Sequence, residues 1–167
     1  CEWFDHGYQS GACANDVYRP RIETFWRYTD GDNCGNPISL GNFAPGFPNV
    51  THFNSNVCYN DANPYLNGGR DVFYRINVTQ PVGMRFETCG PGSAQTAIDI
   101  LDASCTSIVS NFSGCGNGAQ LSVPLCSPGV YYVVVEGRLG STGTFTLQIS
   151  EDPGVIVTAN AGSNVSV

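Results

Sequence analysis

The groups that could do chemistry are few and far apart. There are two histidines, His6 and His52. Neither lies in an H-E-x-x-H pair or beside a G-x-S-x-G elbow, and no phosphate-cradling glycine loop is present. Without such a frame no nucleophile is activated, so no catalytic residue is assigned and the chain is expected not to be an enzyme. Asp30-Gly31-Asp32-Asn33 sets two carboxylates and an amide in a glycine turn. These are hard oxygens of the kind Ca²⁺ takes. Cysteine at position 34 rules out an EF-type loop. A looser calcium site on Asp30 and Asp32, with Asp61 or Asp71 as a further ligand, stands against the reading of an ordinary solvated acidic turn. No other cofactor is indicated.

The eight cysteines are Cys1, Cys13, Cys34, Cys58, Cys89, Cys105, Cys115 and Cys126. No C-x-x-C occurs, so neither a zinc knuckle nor a redox dithiol is supported. Wide spacing and an even count read as disulfides formed in an oxidising compartment. Four N-x-S/T sequons, at Asn49, Asn77, Asn111 and Asn164, are candidate glycosylation sites or chance matches to a loose pattern. Trp3, Tyr8, Trp26 and Tyr28 could form a stacking platform for sugar rings. The alternative is that they bury their rings against the body of the protein or a neighbour. Val155, Ile156 and Val157 follow a Pro-Gly break and are too apolar for a free linker. They belong either to a linker into another module or to a strand that pairs with a neighbour's sheet edge.

The elements that must position these groups are strands. The chain has 167 residues, 20 glycines, 10 prolines and a net charge of -7, with seven Lys plus Arg, all of them arginine. So few cations argue against a nucleic-acid surface or docking on anionic lipid. Hydrophobic residues make up 41%, enough for a packed core. No apolar run is long enough to span a membrane. Starting at Cys1, the chain is expected to be a processed form or a piece of a longer one. From residue 71 onward apolar and polar residues alternate with period two, between turns rich in Gly, Pro, Ser and Asn. Strands are predicted at Asp71–Thr79, Gly83–Cys89, Ile98–Leu101, Gln120–Cys126, Tyr131–Val135 and Thr144–Ser150. Pro124 marks an edge or a bulge. Tyr131–Val135, apolar on both faces, marks a central strand. A further strand is predicted at Ile22–Thr29. The fold class is all-β: a jelly-roll-like antiparallel sandwich, disulfide-stapled, with an aromatic N-terminal extension.

Residues 31–150 carry an ordered set of pieces. They are Gly31-Asp32-Asn33-Cys34, Gly69-Arg70-Asp71-Val72-Phe73-Tyr74, Phe86-Glu87-Thr88-Cys89-Gly90, Thr96 to Asp102 with Cys105, and Pro128 to Gly137 followed by Gly143 to Leu147. This set resembles the bacterial pre-peptidase C-terminal domain, in its cysteine-bearing surface-protein form. The tail from Thr158 to Asn164 faintly resembles the opening of a PKD-type domain. The first resemblance implies a non-catalytic β-sandwich on secreted proteins, some of which bind calcium or matrix polymers. Gln95 stands where that family has an aspartate, and Phe112-Ser113 where it has an Asp-Asp turn. Carboxylates of a family calcium site are therefore missing. The implied division is 1–33 as an extension or remnant of a preceding module, 34–151 as the sandwich, and 152–167 as a strand or linker.

Four disulfides are predicted from position. Cys105–Cys115 would staple a local loop and Cys34–Cys58 would bracket the start of the sandwich. Cys89–Cys126 would join two strand ends, leaving Cys1–Cys13. The expected function is a secreted structural or adhesive unit at the cell surface, self-associating or joined to neighbouring modules, and a candidate filament subunit. The alternative is an accessory carbohydrate- or matrix-binding domain of a secreted hydrolase. Partners are then copies of the chain, a glycan or a matrix polymer, with no nucleic acid and no membrane insertion.

Overall fold

The computed structural model describes residues 30–66, 68–90 and 93–157. The predicted strand at Ile22–Thr29, the platform residues Trp3, Tyr8, Trp26 and Tyr28, Cys1, Cys13 and Asn164 lie outside the described residues.

Alternation with period two gives each strand one apolar face, and two sheets close those faces on each other. The strands are β1 (Ile38–Phe43), β2 (Val50–Ser55), β3 (Asp71–Val78), β4 (Val82–Glu87) and β5 (Thr96–Leu101). They continue with β6 (Ser107–Asn111), β7 (Gly114–Cys115), β8 (Gly118–Leu125), β9 (Gly129–Gly137) and β10 (Thr144–Glu151). One sheet has the order β1-β3-β9-β5-β6 and the other β2-β10-β4-β8-β7. All the pairs are antiparallel except β1 with β3, which is parallel. That pair departs from the all-antiparallel expectation. The core between the sheets holds Phe43, Tyr74, Ile76, Met84, Phe86, Ile98, Ile100, Val133, Val135, Phe145, Leu147 and Ile149.

The six strands read from alternation are β3, β4, β5, β8, β9 and β10. β9 is central, and Pro124 sits on the part of β8 that has no neighbour beyond it. β2 is invisible to a hydrophobicity pattern. Its polar His52 and half-buried Asn54 face Tyr74, while Phe53 points to solvent at 68% exposure.

The outer face of the first sheet is covered as well. Phe73, Leu101 and Val134 form a second apolar cluster there, with Tyr132, Cys34 and Cys105 against it. All six residues of β5 are buried. The segment between β2 and β3 lies over this face, tied down at Asn56. That amide is 1% exposed. Its Nδ2 donates to Arg70 O at 3.1 Å and Ser141 O at 3.0 Å, and its Oδ1 accepts from Gly143 N at 2.8 Å. Asn56→Ala strands the Ser141 carbonyl and the Gly143 N–H, while Arg70 O keeps its bond from Gly137 N. It is expected to lower stability by about 3 kcal/mol, read as the shift in a urea unfolding midpoint.

The disulfide map differs from the predicted one. Cys34 bonds Cys105 and Cys89 bonds Cys115, with Cα separations of 6.3 Å and 5.5 Å. Cys58 is also disulfide-bonded, and Cys126 is a free thiol. The predicted Cys105–Cys115, Cys34–Cys58 and Cys89–Cys126 bridges are therefore all wrong. Strand direction explains the last. β4 and β8 are antiparallel, with Val82 opposite Leu125 and Glu87 opposite Gln120. Cys89 and Cys126 each follow their strand's C-terminal end, so they sit at opposite ends of the pair. Cys115 instead lies on β7, which joins the start of β8 just where Thr88 N reaches Ala119 O. Cys34 and Cys105 meet because their two turns lie over the same outer face.

Candidate functional site

On β3 the residues alternate, so Val72, Tyr74 and Ile76 enter the core while Asp71 and Phe73 face the covered outer side. On β9 Val133 and Val135 enter the core, and Val134 and Glu136 take the outer side. On β5 Ile98 and Ile100 enter the core, leaving Asp99 and Leu101 outside it. Asp71 is the direct cross-strand partner of Glu136. Ala97 is opposite Glu136 on the other side and Asp99 opposite Val134, which makes Asp99 a diagonal neighbour of Glu136. Three acids are thus gathered under one loop, with relative exposures of 0% for Asp71, 0% for Asp99 and 1% for Glu136.

The loop supplies part of what buried carboxylates require. Ala62 N and Asn63 N both donate to Asp71 Oδ2 at 2.7 Å. The side chain of Asn63, itself 2% exposed, donates to Asp99 Oδ2 at 3.1 Å, and Ser107 Oγ donates to Asp99 Oδ1 at 2.7 Å. Gly69 lies flat on β9. A methyl group there would come within 3.0 Å of Glu136 Cγ and 2.9 Å of the Gly137 carbonyl carbon. Asp99 is therefore satisfied at both oxygens. Asp71 Oδ1 and Glu136 Oε2 are buried without a donor.

Two ionised carboxylates cannot satisfy each other, because both only accept. A proton on one of them makes it a donor to the other. Burial pushes the Glu136 carboxyl up to about 8, with the charges of Asp71 and Asp61 adding and Glu136 acting as donor toward Asp71. Burial also raises Asp71, to about 6, against the lowering effect of its bonds from Asn63 and Ala62. Asp99 is raised by burial, opposed by Ser107 and Asn63. Near neutral pH the Asp71–Glu136 pair therefore holds one proton between its two members. Among the described residues the ion pair of Arg85 with Glu87, at 2.8 Å, is on the other sheet.

Beside the pair, Phe112, Glu136, Arg138 and Leu139 line a recess of about 130 Å³. Arg138 Nη1 donates to Phe112 O at 3.1 Å across it. A proton-sharing dyad can do acid–base work only where a substrate reaches it. Here both carboxyls are buried, and His52 is on the opposite sheet with its pKa lowered by burial. The arrangement stores a proton and holds the covering loop.

The predicted site residues fall elsewhere. Asp32 is committed to Asn60, whose N donates at 2.8 Å and whose Nδ2 donates at 2.5 Å. Asp30 is exposed and lends only its carbonyl, to Tyr59 Oη. Among the described residues no three His, Cys, Asp or Glu side chains are grouped to hold a metal ion. Of the sequons, Asn49 is exposed, Asn77 Nδ2 donates to Asn42 Oδ1 and Asn111 Nδ2 donates to Gln120 O at 2.7 Å. The nitrogen a glycan would take is thus engaged at Asn77 and Asn111. Val155 stacks on Gly83 of β4, Val157 is half-buried, and Ile156 is 81% exposed. Glu136, Asp99 and Asn63 went unnoticed as site residues. The available signal was the apolar run of β9. A strand apolar on both faces has a covered outer side, and a Glu in line with that side is buried.

No protein-family model matches the chain. No curated protein matches it either. Among solved structures it is similar to the pre-peptidase C-terminal domain of a collagenase from Bacillus anthracis. That match has a TM-score of 0.47 and 16% identity over 70% of this chain and 94% of that one. It is also similar to a periplasmic inhibitor of g-type lysozyme from Aeromonas hydrophila, with a TM-score of 0.45 and 17% identity over 69% of this chain and 96% of that one. At such identities the likeness is one of fold alone.

Proposed function

We propose that the chain is a non-catalytic structural or adhesive β-sandwich unit of an extracellular, oxidising compartment, displayed at the cell surface and joined to its own copies in a filament by strand addition. The observation that carries this reading is the exit of the chain from the sandwich. After β10 an Asp152 turn lays Val155 of the apolar stretch on Gly83 and leaves the next residue, Ile156, at 81% exposure. Such a stretch is a hazard unless a partner covers it. Disulfides fit the compartment and hold each unit folded while it exchanges a strand with the next. No helix among the described residues is long and apolar enough to cross a membrane. The second reading, an accessory carbohydrate- or matrix-binding domain, is favoured by one ring. Phe53 is exposed beside Thr146 on a polar sheet face, where it could stack on a sugar.

Sedimentation across a concentration series tests the first reading. The full chain is expected to form a ladder of oligomers, and Ile156→Asp to shift it about tenfold toward higher concentration without loss of the folded state. A full chain that stays monomeric throughout overturns the reading. Binding of the monomer to an insoluble polysaccharide, lost in Phe53→Ala, would establish the second.

A further inference from the structure

We infer that the free edge of β2 is the acceptor for strand addition, and that its occupant is the tail of a second copy, residues 156–167. The inference rests on the filament reading above and adds the surface that receives the strand.

Among the described residues four sheet edges are candidates, and three are blocked by their own chemistry. β8 carries Pro124, which has no N–H. The first half of β8 is already occupied: Gln120 N donates to Ser113 O and Gln120 O accepts from Asn111 Nδ2. β6 slips register against β5 between Ile100 and Leu101, and its Asn111 is the residue tied across to β8. β1 breaks register between Ser39 and Gly41, with Gly41 at φ 97°. Bulges, prolines and occupied carbonyls are how sheets protect their edges.

β2 has none of these. Val50-Thr51-His52-Phe53-Asn54-Ser55 contains no proline, no glycine, no Asp, Glu, Lys or Arg, and its register to β10 is unbroken. The direction of its backbone groups follows from the ladder. Asn56 N donates to Gly143 O, one step past the Ser55–Thr144 pair. In an antiparallel ladder, bonded and non-bonded pairs alternate. The groups of Asn54, His52 and Val50 therefore point to β10, and those of Ser55, Phe53 and Thr51 point outward. One contact agrees independently: Ser55 N is capped by the Asn54 side chain at 2.8 Å. The open part of the edge is thus Thr51 to Phe53, a place for a short strand. An uncharged strand suits it, and Ile156-Val157-Thr158 has no charge. An added strand would cover the exposed ring of Phe53.

The tail cannot serve its own β2 without undoing its exit. Asp152 N donates to Gly83 O, Ser122 Oγ donates to Asp152 Oδ2, and Val155 rests on Gly83. Those contacts send the chain toward β4 and β8, the side of β10 away from β2. A second copy's tail fills the edge, and since donor and acceptor are different surfaces the contact propagates head to tail.

The test uses the full chain at a concentration where it is monomeric and a labelled synthetic peptide of residues 153–167. Saturable binding is expected, with a loss of about tenfold or more in Phe53→Pro, which removes an outward N–H together with the exposed ring. The same loss is expected for a peptide N-methylated at Ile156 and Val157, which leaves the protein untouched and so separates strand pairing from a folding defect. No binding of the unmodified peptide, or equal binding of the N-methylated one, overturns the inference. If Ile156→Asp abolishes oligomers while Phe53→Pro keeps them, the filament reading stands and β2 is not its acceptor.

Discussion

Between pH 4.5 and pH 8 the protein is expected to lose stability, where most acidic proteins gain it or hold level. The sign follows from linkage. Glu136 has an ordinary value of 4.5 and is raised to about 8 in the fold. Asp71 goes from 3.8 to about 6. Over those windows the native state binds more protons than the unfolded chain, so the unfolding free energy falls as pH rises. The contribution is fully present below the unfolded values, declines through the window, and is gone above pH 8. Each pKa unit corresponds to about 1.4 kcal/mol, so the loss is on the order of a few kcal/mol. Glu136→Gln keeps an N–H donor for Asp71 and removes the group that must ionise. This variant is expected to match the wild type near pH 5 and to be more stable at pH 8.5 by about 2 kcal/mol or more. Urea unfolding at intervals from pH 4.5 to pH 9 reads both curves. A wild-type curve that rises across this range, or a variant with an unchanged slope, removes the shared proton from the account.

Breaking the Cys34–Cys105 bond is expected to have an effect of similar size. It closes a separation of 71 residues, against 26 for Cys89–Cys115. Loop-closure entropy then gives about 4 kcal/mol for the first and about 3.5 kcal/mol for the second. The first also pins two turns over Phe73, Leu101 and Val134, so its loss should loosen the cover of the acid pair. Cys34→Ser/Cys105→Ser is expected to unfold earlier in urea than Cys89→Ser/Cys115→Ser. It should also shift the alkaline loss of stability toward normal carboxylate behaviour, as water reaches Asp71 and Glu136. If the two double variants unfold alike and both keep the wild-type pH profile, the Cys34–Cys105 bond is no clasp on this face.

How much of this was legible in the chain depends on whether the physics is local. Val72-Tyr74-Ile76-Val78 and Phe145-Leu147-Ile149 announce strands because period two is a property of the backbone itself. The doubly apolar Tyr131–Val135 announces a central strand, and Pro124 an edge, because burial and a missing N–H constrain neighbours whatever they are. Those signals were enough for the sandwich. They could not say which strands pair, so the cysteines were matched by position, and the antiparallel run of β4 and β8 put Cys89 and Cys126 at opposite ends. Nor could they find β2, whose inward residues His52 and Asn54 are polar because they face the hydroxyl-bearing ring of Tyr74. Asp71, Asp99 and Glu136 lie far apart in sequence, each looking like a solvated carboxylate. Only register across β3, β9 and β5, and a loop pinned by Asn56 and Asn63, brings them together. A carboxylate's pKa depends on what surrounds it in space, and the water that would keep it ordinary is excluded only once the tertiary fold is complete.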